Sequence, residues 1–357
     1  MPIHGADRAA AHWGDARRVA HYAAGGITWQ DIGAVRRRLN AKVSGDPNRD
    51  WIDHLLHTHL ADRAPVARCL SLCCGEGRVE RALAERGGFA RCLGVDASAE
   101  ALASAKQLAS EAGIDTIEYR CDDVNAIQLD EGRFDLILAH HSLHHLEAIN
   151  AVLAQVARGL RPDGLFACVD YVGPDRFQYS ERRYELMDEA LLTLPESYRR
   201  SVSFARSGRV GAGGRRAAGM WLKLIWRKFT DGSLWSAIAT RAKLTKARAS
   251  GRALVKERVP RISGAAMAID DPSEAIRSSE VLPLLRETLD VVEEKPLGGA
   301  ILMWVLDDLA GNFSPDDPEA EELLTTLFER EDALMAAGDV PSDFVYVVAR
   351  KRGGETP

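Results

Sequence analysis

Residues 69–80, Cys-Leu-Ser-Leu-Cys-Cys-Gly-Glu-Gly-Arg-Val-Glu, constrain this chain more than any other stretch. An apolar run stops at Gly75-Glu76-Gly77, and Val79 and Leu83, with Arg78, Arg81 and Glu85 around them, then follow a helical period. The segment reads as strand, tight glycine turn, helix. Glycine suits a turn whose backbone must approach a ligand, because no side chain holds the ligand off and the first N–H groups of the helix point at it. A second strand-like run, residues 91–96, closes on Asp96 about twenty residues after the glycines, the separation at which a carboxylate reaches the two hydroxyls of a ribose. Turn and acid together point to a nucleoside site.

Glu80 stands where a dinucleotide fingerprint takes a third small residue, and its bulk and negative charge oppose a pyrophosphate. A third strand-like run, 117–121, ends at Asp122-Asp123, and a fourth, 134–139, runs into His140-His141-Ser142-Leu143-His144-His145-Leu146. In this ordered set, spanning residues 66–172, the chain resembles the class I S-adenosylmethionine (SAM) dependent methyltransferases. The shared features are the glycine turn, the acid after strand two, the Asp with an apolar residue after strand three, and Phe-Asp-x-Ile followed by Leu-His-His at strand four. Arg161-Pro-Asp-Gly164 looks like that family's Lys-Pro-Gly-Gly turn before strand five.

The resemblance implies SAM as cofactor and S-adenosylhomocysteine as product. It implies that Gly75 and Gly77 hold the methionine moiety, that Asp96 takes the ribose, that Val124 packs on the adenine, and that Cys74 and Ala97 also contact the cofactor. Asp123 takes the adenine amino group; Asp122 is the rival, since the doublet aligns either way. His140 borders the cofactor, and His140 or His141 is placed to serve as base for an acceptor hydroxyl, a task that neutral imidazole suits near pH 7. An amine or carboxylate acceptor needs no base. Blander readings stay open: the turn is merely sharp, Asp96 caps a helix although Ser98 is at hand for that, and His144 and His145 are packing or rim residues.

Strand-helix alternation from Val66 to Tyr171 demands a parallel sheet with helices on both faces and a ligand beyond the carboxyl ends of the strands. The fold class expected is α/β, a Rossmann-like seven-stranded, mostly parallel sheet. Thr288–Glu294 reads as strand six and Phe344–Ala349 as a last strand, which the resemblance places antiparallel between strands five and six. Ala300–Leu309 reads as an apolar helix and Glu319–Ala337 as an amphipathic one. The expected organisation is a helical cap over 1–64, a SAM-binding core over 65–172, an acceptor-side lid over 173–285 containing a basic insert at 206–261, and a segment 286–353 that completes the sheet. In the cap, Trp51, Leu55, Leu56 and Leu60 keep a helical period, while Trp13, Tyr22 and Trp29 either line the acceptor pocket or anchor the cap.

Asp170 to Gln178 and Asp271 to Glu280 are similar to stretches in a bacterial subset of the family that modifies sugars, lipids or secondary metabolites. The resemblance implies a small-molecule or lipid-like acceptor in bacterial specialised metabolism, with Tyr171, Arg176 and Gln178 on the acceptor side. Arg277 and Glu280 either join them or pair with each other.

Composition limits the remaining choices. With 46% hydrophobic residues the chain can bury a core. No apolar run approaches the length of a membrane span, and the first residues lack a secretion pattern, so a cytoplasmic protein is expected, at most peripheral to a membrane. Cys69, Cys73, Cys74, Cys92, Cys121 and Cys168 are expected in core strands, and no metal ligand set is assigned, because no paired C-x-x-C spacing occurs. The insert 206–261 holds fifteen Lys and Arg against Asp231 and Glu257, a net of +13 that leaves −19 on the rest of a chain totalling −6. Trp221, Leu224, Ile225 and Phe229 form an apolar stripe within it. Such a segment caps its own acidic body, lies on an anionic membrane or lipid-like substrate, or meets an acidic protein or a second copy. Nucleic acid ranks last, since no nucleic-acid module is present. Two other functions stay in view: a catalytically silent partner-binding subunit, and an RNA methyltransferase using the insert.

Overall fold

The computed structural model describes residues 28–202 and 254–353. Trp13, Tyr22 and nearly all of the basic insert, including its apolar stripe, lie outside the described residues.

In chain order the described elements begin with α1 (Gly33–Ser44) and α2 (Trp51–His54), the latter running into a π-helical turn at Leu55–His59. The core alternates β1 (Val66–Leu72), α3 (Arg78–Glu85), β2 (Phe89–Asp96), α4 (Ala99–Glu111), β3 (Ile117–Cys121), β4 (Phe134–His140), α5 (Ile149–Gly159) and β5 (Leu160–Tyr171). Helices α6 (Glu181–Leu192), α7 (Gly264–Asp270) and α8 (Ser278–Thr288) precede β6 (Leu289–Gly298). The short α9 (Leu302–Leu306), the long α10 (Pro318–Ala336) and β7 (Phe344–Lys351) complete the fold.

The seven strands are ordered β3-β2-β1-β4-β5-β7-β6, with β7 antiparallel to both neighbours and the other pairings parallel. The expected fold class is the one observed. Burial explains why these strands are continuous apolar runs. Along β4, Leu136 and Leu138 join one core while Ile137 and Ala139 join the other; along β7, Phe344, Tyr346 and Val348 alternate in the same way with Val345, Val347 and Ala349. Both faces are covered by helices, so neither parity is free to be polar. Because the order reverses between β1 and β4, a crevice opens at the carboxyl ends of those two strands.

The segment 28–64 lies across β6 and α10. Arg38 bridges to Glu331 at 3.0 Å and to Asp332 at 2.5 Å, and Lys42 reaches Asp332 at 2.8 Å. The fully buried Glu331 also accepts the backbone N–H groups of Gly299, Ile301 and Leu302. A carboxylate in the middle of α10 thereby ties the cap and the start of α9 to one helix.

Several local expectations need correction. The periodic stretch from Trp51 to Leu60 is α-helical only to His54 and then widens to an i→i+5 turn, closed by Leu60 N–H on the Leu55 carbonyl at 3.2 Å. Strand β6 runs four residues further than expected, and the helix expected over 300–309 is confined to 302–306. Of the six cysteines, Cys69, Cys92 and Cys168 are buried in strands; Cys73 and Cys74 lie in the turn after β1, and Cys121 is exposed at the end of β3. Hydrophobic character alone did not tell where each strand would stop.

Candidate active site

Strand β1 ends at Leu72, and the chain then turns through Cys73, Gly75 and Gly77, all with positive φ, into α3. The two glycines are needed for different reasons. A Cβ on Gly77 would sit 2.3 Å from the Tyr119 hydroxyl, so that position is closed by packing. A Cβ on Gly75 would meet nothing within 4 Å, because that α-carbon faces open space at the wall of a cavity. The turn is braced from β2: Cys74 N–H donates to the Val95 carbonyl at 3.0 Å, and Gly75 N–H donates to Asp96 Oδ2 at 2.8 Å.

Asp96 accepts a second bond from Ser98 N–H at 2.8 Å, and Ser98, not Asp96, caps α4. Burial raises the Asp96 pKa above the ordinary carboxylate value, opposed by these N–H groups. Glu80 is also buried, with Oε2 unpartnered, and burial pushes its carboxyl toward the neutral form against a hydrogen bond from Ser71. Its bulk beneath the turn remains.

The cavity at this crevice has a volume of about 870 Å³, near the upper end of what small-ligand sites occupy. The structure brings Cys74, Gly75, Asp96, Ala97, Asp123, Val124, His140 and His141 to its lining. Gly77 stands one step back beneath the turn. Of the acidic doublet, Asp123 borders the cavity, its Oδ1 accepting from Asn125 N–H at 2.9 Å, while Asp122 is exposed and pairs with Arg120 at 3.4 Å.

The histidines divide into two groups. His140 closes β4 and its ring stacks on Trp51, with centroids 5.5 Å apart and planes 15° from parallel. His141 follows in left-handed backbone, edge-on to His140 at 4.5 Å and to Phe344 at 5.6 Å. Burial pushes His141 down to about 4 against the pull of Asp170, and burial with His141 and Arg78 nearby takes His140 well below its ordinary value. Both rings are neutral at pH 7. His144 is the opposite case: burial alone would lower it, but the Asp170 carboxylate 2.5 Å from its Nδ1 and the nearby Glu274 hold it at about 10. Asp170, fully buried, is held at about 2 by His144 against its own desolvation. It also accepts N–H bonds from Ser142, Leu143 and Tyr171 at 3.0, 2.7 and 2.8 Å. This carboxylate therefore holds Ser142, Leu143 and His144, the residues that directly follow His140 and His141.

The sequence leaves His144 as a packing or rim residue, because its partner Asp170 is 26 residues away and no spacing rule joins them. Leu39, Val43, Trp51, Ile52 and Leu297 also line the cavity, alongside Arg36, Asn40 and Asp50, and the four-residue spacing of Val35, Leu39 and Val43 is the sequence signal for the part that α1 plays. Other expected groups lie elsewhere. Tyr171, Arg176 and Gln178 are not among the residues lining the cavity. Tyr171 is buried and bonded to Tyr179 and the Pro174 carbonyl, Arg176 clasps the carbonyls of Asp271, Pro272 and Glu274, and Gln178 Nε2 donates to the carbonyls of Arg176 and Ile262. Arg277 and Glu280 pair with each other at 2.6 Å. Trp29 packs on Phe344 at 5.5 Å, while Thr28, Gln30 and Asp31 around it face the cavity.

A nucleoside with an aminoacyl-like tail fits these residues: an open α-carbon at Gly75, a carboxylate at the end of β2, and a second acid with an apolar neighbour after β3. Residues 70–168 match the family described as Methyltransferase domain. The uncharacterized methyltransferase YcgJ of Bacillus subtilis (strain 168) is 30% identical over 101 residues, 28% of this chain and 40% of that protein. The 2-phytyl-1,4-naphtoquinone methyltransferase of Trichormus variabilis is 28% identical over 168 residues, 46% of this chain and 72% of its own length. The ubiquinone biosynthesis O-methyltransferase of Bradyrhizobium sp. (strain ORS 278) is 37% identical over 98 residues, 28% of this chain and 37% of that one. The matched region thus spans less than half the length of two of these three relatives. Among solved structures, the YcgJ protein from Bacillus subtilis superimposes with a TM-score of 0.41 at 16% identity, over 84% of this chain and 97% of that one. The chain carries a class I SAM-dependent methyltransferase domain.

Proposed function

We propose that the whole chain is an active SAM-dependent methyltransferase whose acceptor is a small, largely apolar molecule, as in specialised or quinone-type metabolism. The observation that carries this reading is one cavity of about 870 Å³ whose lining joins the glycine-and-acid rim at β1–β3 to apolar side chains of α1, α2 and β6 (Leu39, Val43, Trp51, Ile52 and Leu297), with Arg36, Asn40 and Asp50 among them. The names of the relatives, two of which act in quinone biosynthesis or on a phytylated naphthoquinone, agree with an acceptor of that character.

When bound, SAM supplies a methyl group already activated on a sulfonium, so the protein's work is to hold, orient and exclude water. Gly75, with Cys74, leaves room for the methionine end; Asp96, flanked by Ala97, takes the ribose hydroxyls; Asp123 takes the adenine amino group and Val124 its face. Trp51 lines the cavity and stacks on His140, which puts an apolar surface beside the ring that faces the acceptor. For a hydroxyl acceptor, the neutral ring of His140 or His141 accepts the hydrogen bond and then the proton that the oxygen releases. For an amine acceptor the same rings only orient the lone pair. The silent-subunit reading is disfavoured because both rim acids and the open α-carbon at Gly75 face one connected space.

Calorimetric titration of the protein with SAM tests the site. Asp96→Ala is expected to weaken binding by ~1–3 kcal/mol, the cost of leaving ribose hydroxyls unpaired. Unchanged affinity in that variant would remove the ribose assignment, and no wild-type binding at millimolar SAM would leave the subunit reading. Release of S-adenosylhomocysteine with prenylated quinols, set against hydrophilic sugars, decides the acceptor class; turnover confined to the sugars overturns the apolar one.

A further inference from the structure

Two irregularities of backbone, far apart in the chain, converge on one spot at the sheet edge. The first is the π turn at Leu55–His59. In a regular α-helix residues five apart lie about 140° around the axis, so His54 and His59 would face different ways. The wider turn brings them together, with ring centroids 5.9 Å apart. Single π turns are rare and are frequently found at functional sites.

The second irregularity is a bulge in the edge strand β6. Val291 pairs with Ala349, but Glu293 pairs with Val348, so one extra residue is inserted at Val292. Val291 packs on the core that contains Ala349, whereas Val348 belongs to the opposite core. The bulge therefore turns Glu293 onto the other face of the sheet, toward His54 and His59. Bulges re-aim side chains in this way next to functional sites.

The outcome is a three-residue cluster. His54 Nε2 and His59 Nε2 each lie 2.8 Å from Glu293 Oε2, and the three atoms lie within 4.8 Å of one another. The His side chains are 9% exposed and the Glu side chain 17%. Thr58 Oγ1 stands 3.3 Å from His54 Nδ1, and Lys295 Nζ lies 3.4 Å from Glu293 Oε1, the oxygen that faces away from the histidines.

We propose that His54, His59 and Glu293 form a binding site for a divalent transition-metal ion of the zinc class. Two imidazoles and a carboxylate with a position left for water are a zinc-type donor set, and imidazole nitrogen selects against magnesium and calcium. A tetrahedral ion about 2.0–2.1 Å from each ligand sets ligand atoms roughly 3.4 Å apart, so the cluster opens by about half an ångström to admit it. Each Nε2 then gives its lone pair to the metal and each ring carries its proton on Nδ1. For His54 that proton meets the Thr58 hydroxyl, an outer contact of the kind that orients metal-bound histidine. Lys295 stays on the non-ligating oxygen. The ion clamps the segment 51–59 onto β6, and three residues before His54 is Trp51, which lines the cavity and stacks on His140. Its role is to brace that wall, since none of the three ligands lines the cavity.

The test uses the full chain, stripped with chelator and titrated with zinc and with cobalt(II). One equivalent is expected to bind at micromolar metal and raise the melting temperature, with d–d bands of a four- or five-coordinate cobalt ion. Glu293→Gln and His59→Ala are each expected to weaken binding at least tenfold, whereas His57→Ala, at an exposed position in the same turn, leaves it unchanged. Absence of stoichiometric binding to the wild-type protein overturns the proposal. So does undiminished binding in Glu293→Gln, or a thiolate-to-cobalt charge-transfer band, which would assign the metal to cysteines. The wild-type titration and the cobalt spectrum decide the matter even if a variant does not fold. None of these readouts depends on methyl transfer.

Discussion

Asp170→Asn isolates the buried pair that organises the loop after β4. In the wild-type protein Asp170 accepts from three backbone N–H groups and from His144, whose other nitrogen faces Glu274 at 3.5 Å. Asparagine keeps the volume but removes the charge and turns an NH2 toward groups that are themselves donors. Holding His144 at about 10 instead of 6.5 corresponds to about 5 kcal/mol in favour of the charged ring. Measured losses on removing one partner of a buried ion pair are about 3–5 kcal/mol, so that range is expected at pH 7. The sign with pH follows from the direction of the shift. A raised histidine stabilises the fold fully below its unfolded pKa, and the contribution is lost as pH rises toward the folded value, at about 1.4 kcal/mol per pH unit. The gap between wild type and variant should therefore shrink between pH 7 and pH 10. The comparison must be a difference, because Lys256, lowered by burial to about 8, titrates in the same window with the opposite slope in both proteins. Urea unfolding followed by circular dichroism at pH 7, 8 and 9 provides the assay. A gap below ~1 kcal/mol at pH 7, or one that does not change with pH, would refute the charged-pair reading.

The two glycines of the turn should respond differently. Gly77→Ala meets the Tyr119 hydroxyl as well as left-handed strain and should lose more than the ~1–2 kcal/mol that the strain alone costs. Gly75→Ala carries only the strain, yet places a methyl at the cavity wall and should lower SAM affinity at least tenfold; melting curves and calorimetry showing the reverse ranking would contradict the division of roles. Glu331→Ala strands three buried N–H groups and takes one of two carboxylates from Arg38, which keeps Asp332, and should destabilise by ~3–5 kcal/mol in urea, a loss under ~1 kcal/mol being incompatible with its place in the fold.

How much was legible beforehand depended on the range of the interaction concerned. The glycine turn, the acid closing β2, the acidic doublet and the strand-four histidines were all readable, because a tight turn, a strand end and a helix start are local events set by sterics over a few residues. The doublet was not resolvable in this way: Asp122 and Asp123 are neighbours with the same chemistry, and only the 3-10 turn at Val124 decides that Asp123 faces inward. Tyr171, Arg176 and Gln178 are acceptor-side groups only by resemblance of the stretch after β5; their hydrogen-bond partners lie at 174–179 and across the fold at 262 and 271–274, which no local pattern indicates.

The strand-helix alternation by itself determined a sheet with helices on both faces and a ligand crevice where β1 and β4 part, since buried parallel strands have no other way to connect. Tertiary structure alone decided that Asp170 charges His144, that Trp51 closes over His140, and that a π turn and a strand bulge bring His54, His59 and Glu293 together. These are contacts between residues 26 to 239 positions apart. Chain-local preference carries no information about such distances; they are settled only when the cores on the two sheet faces pack.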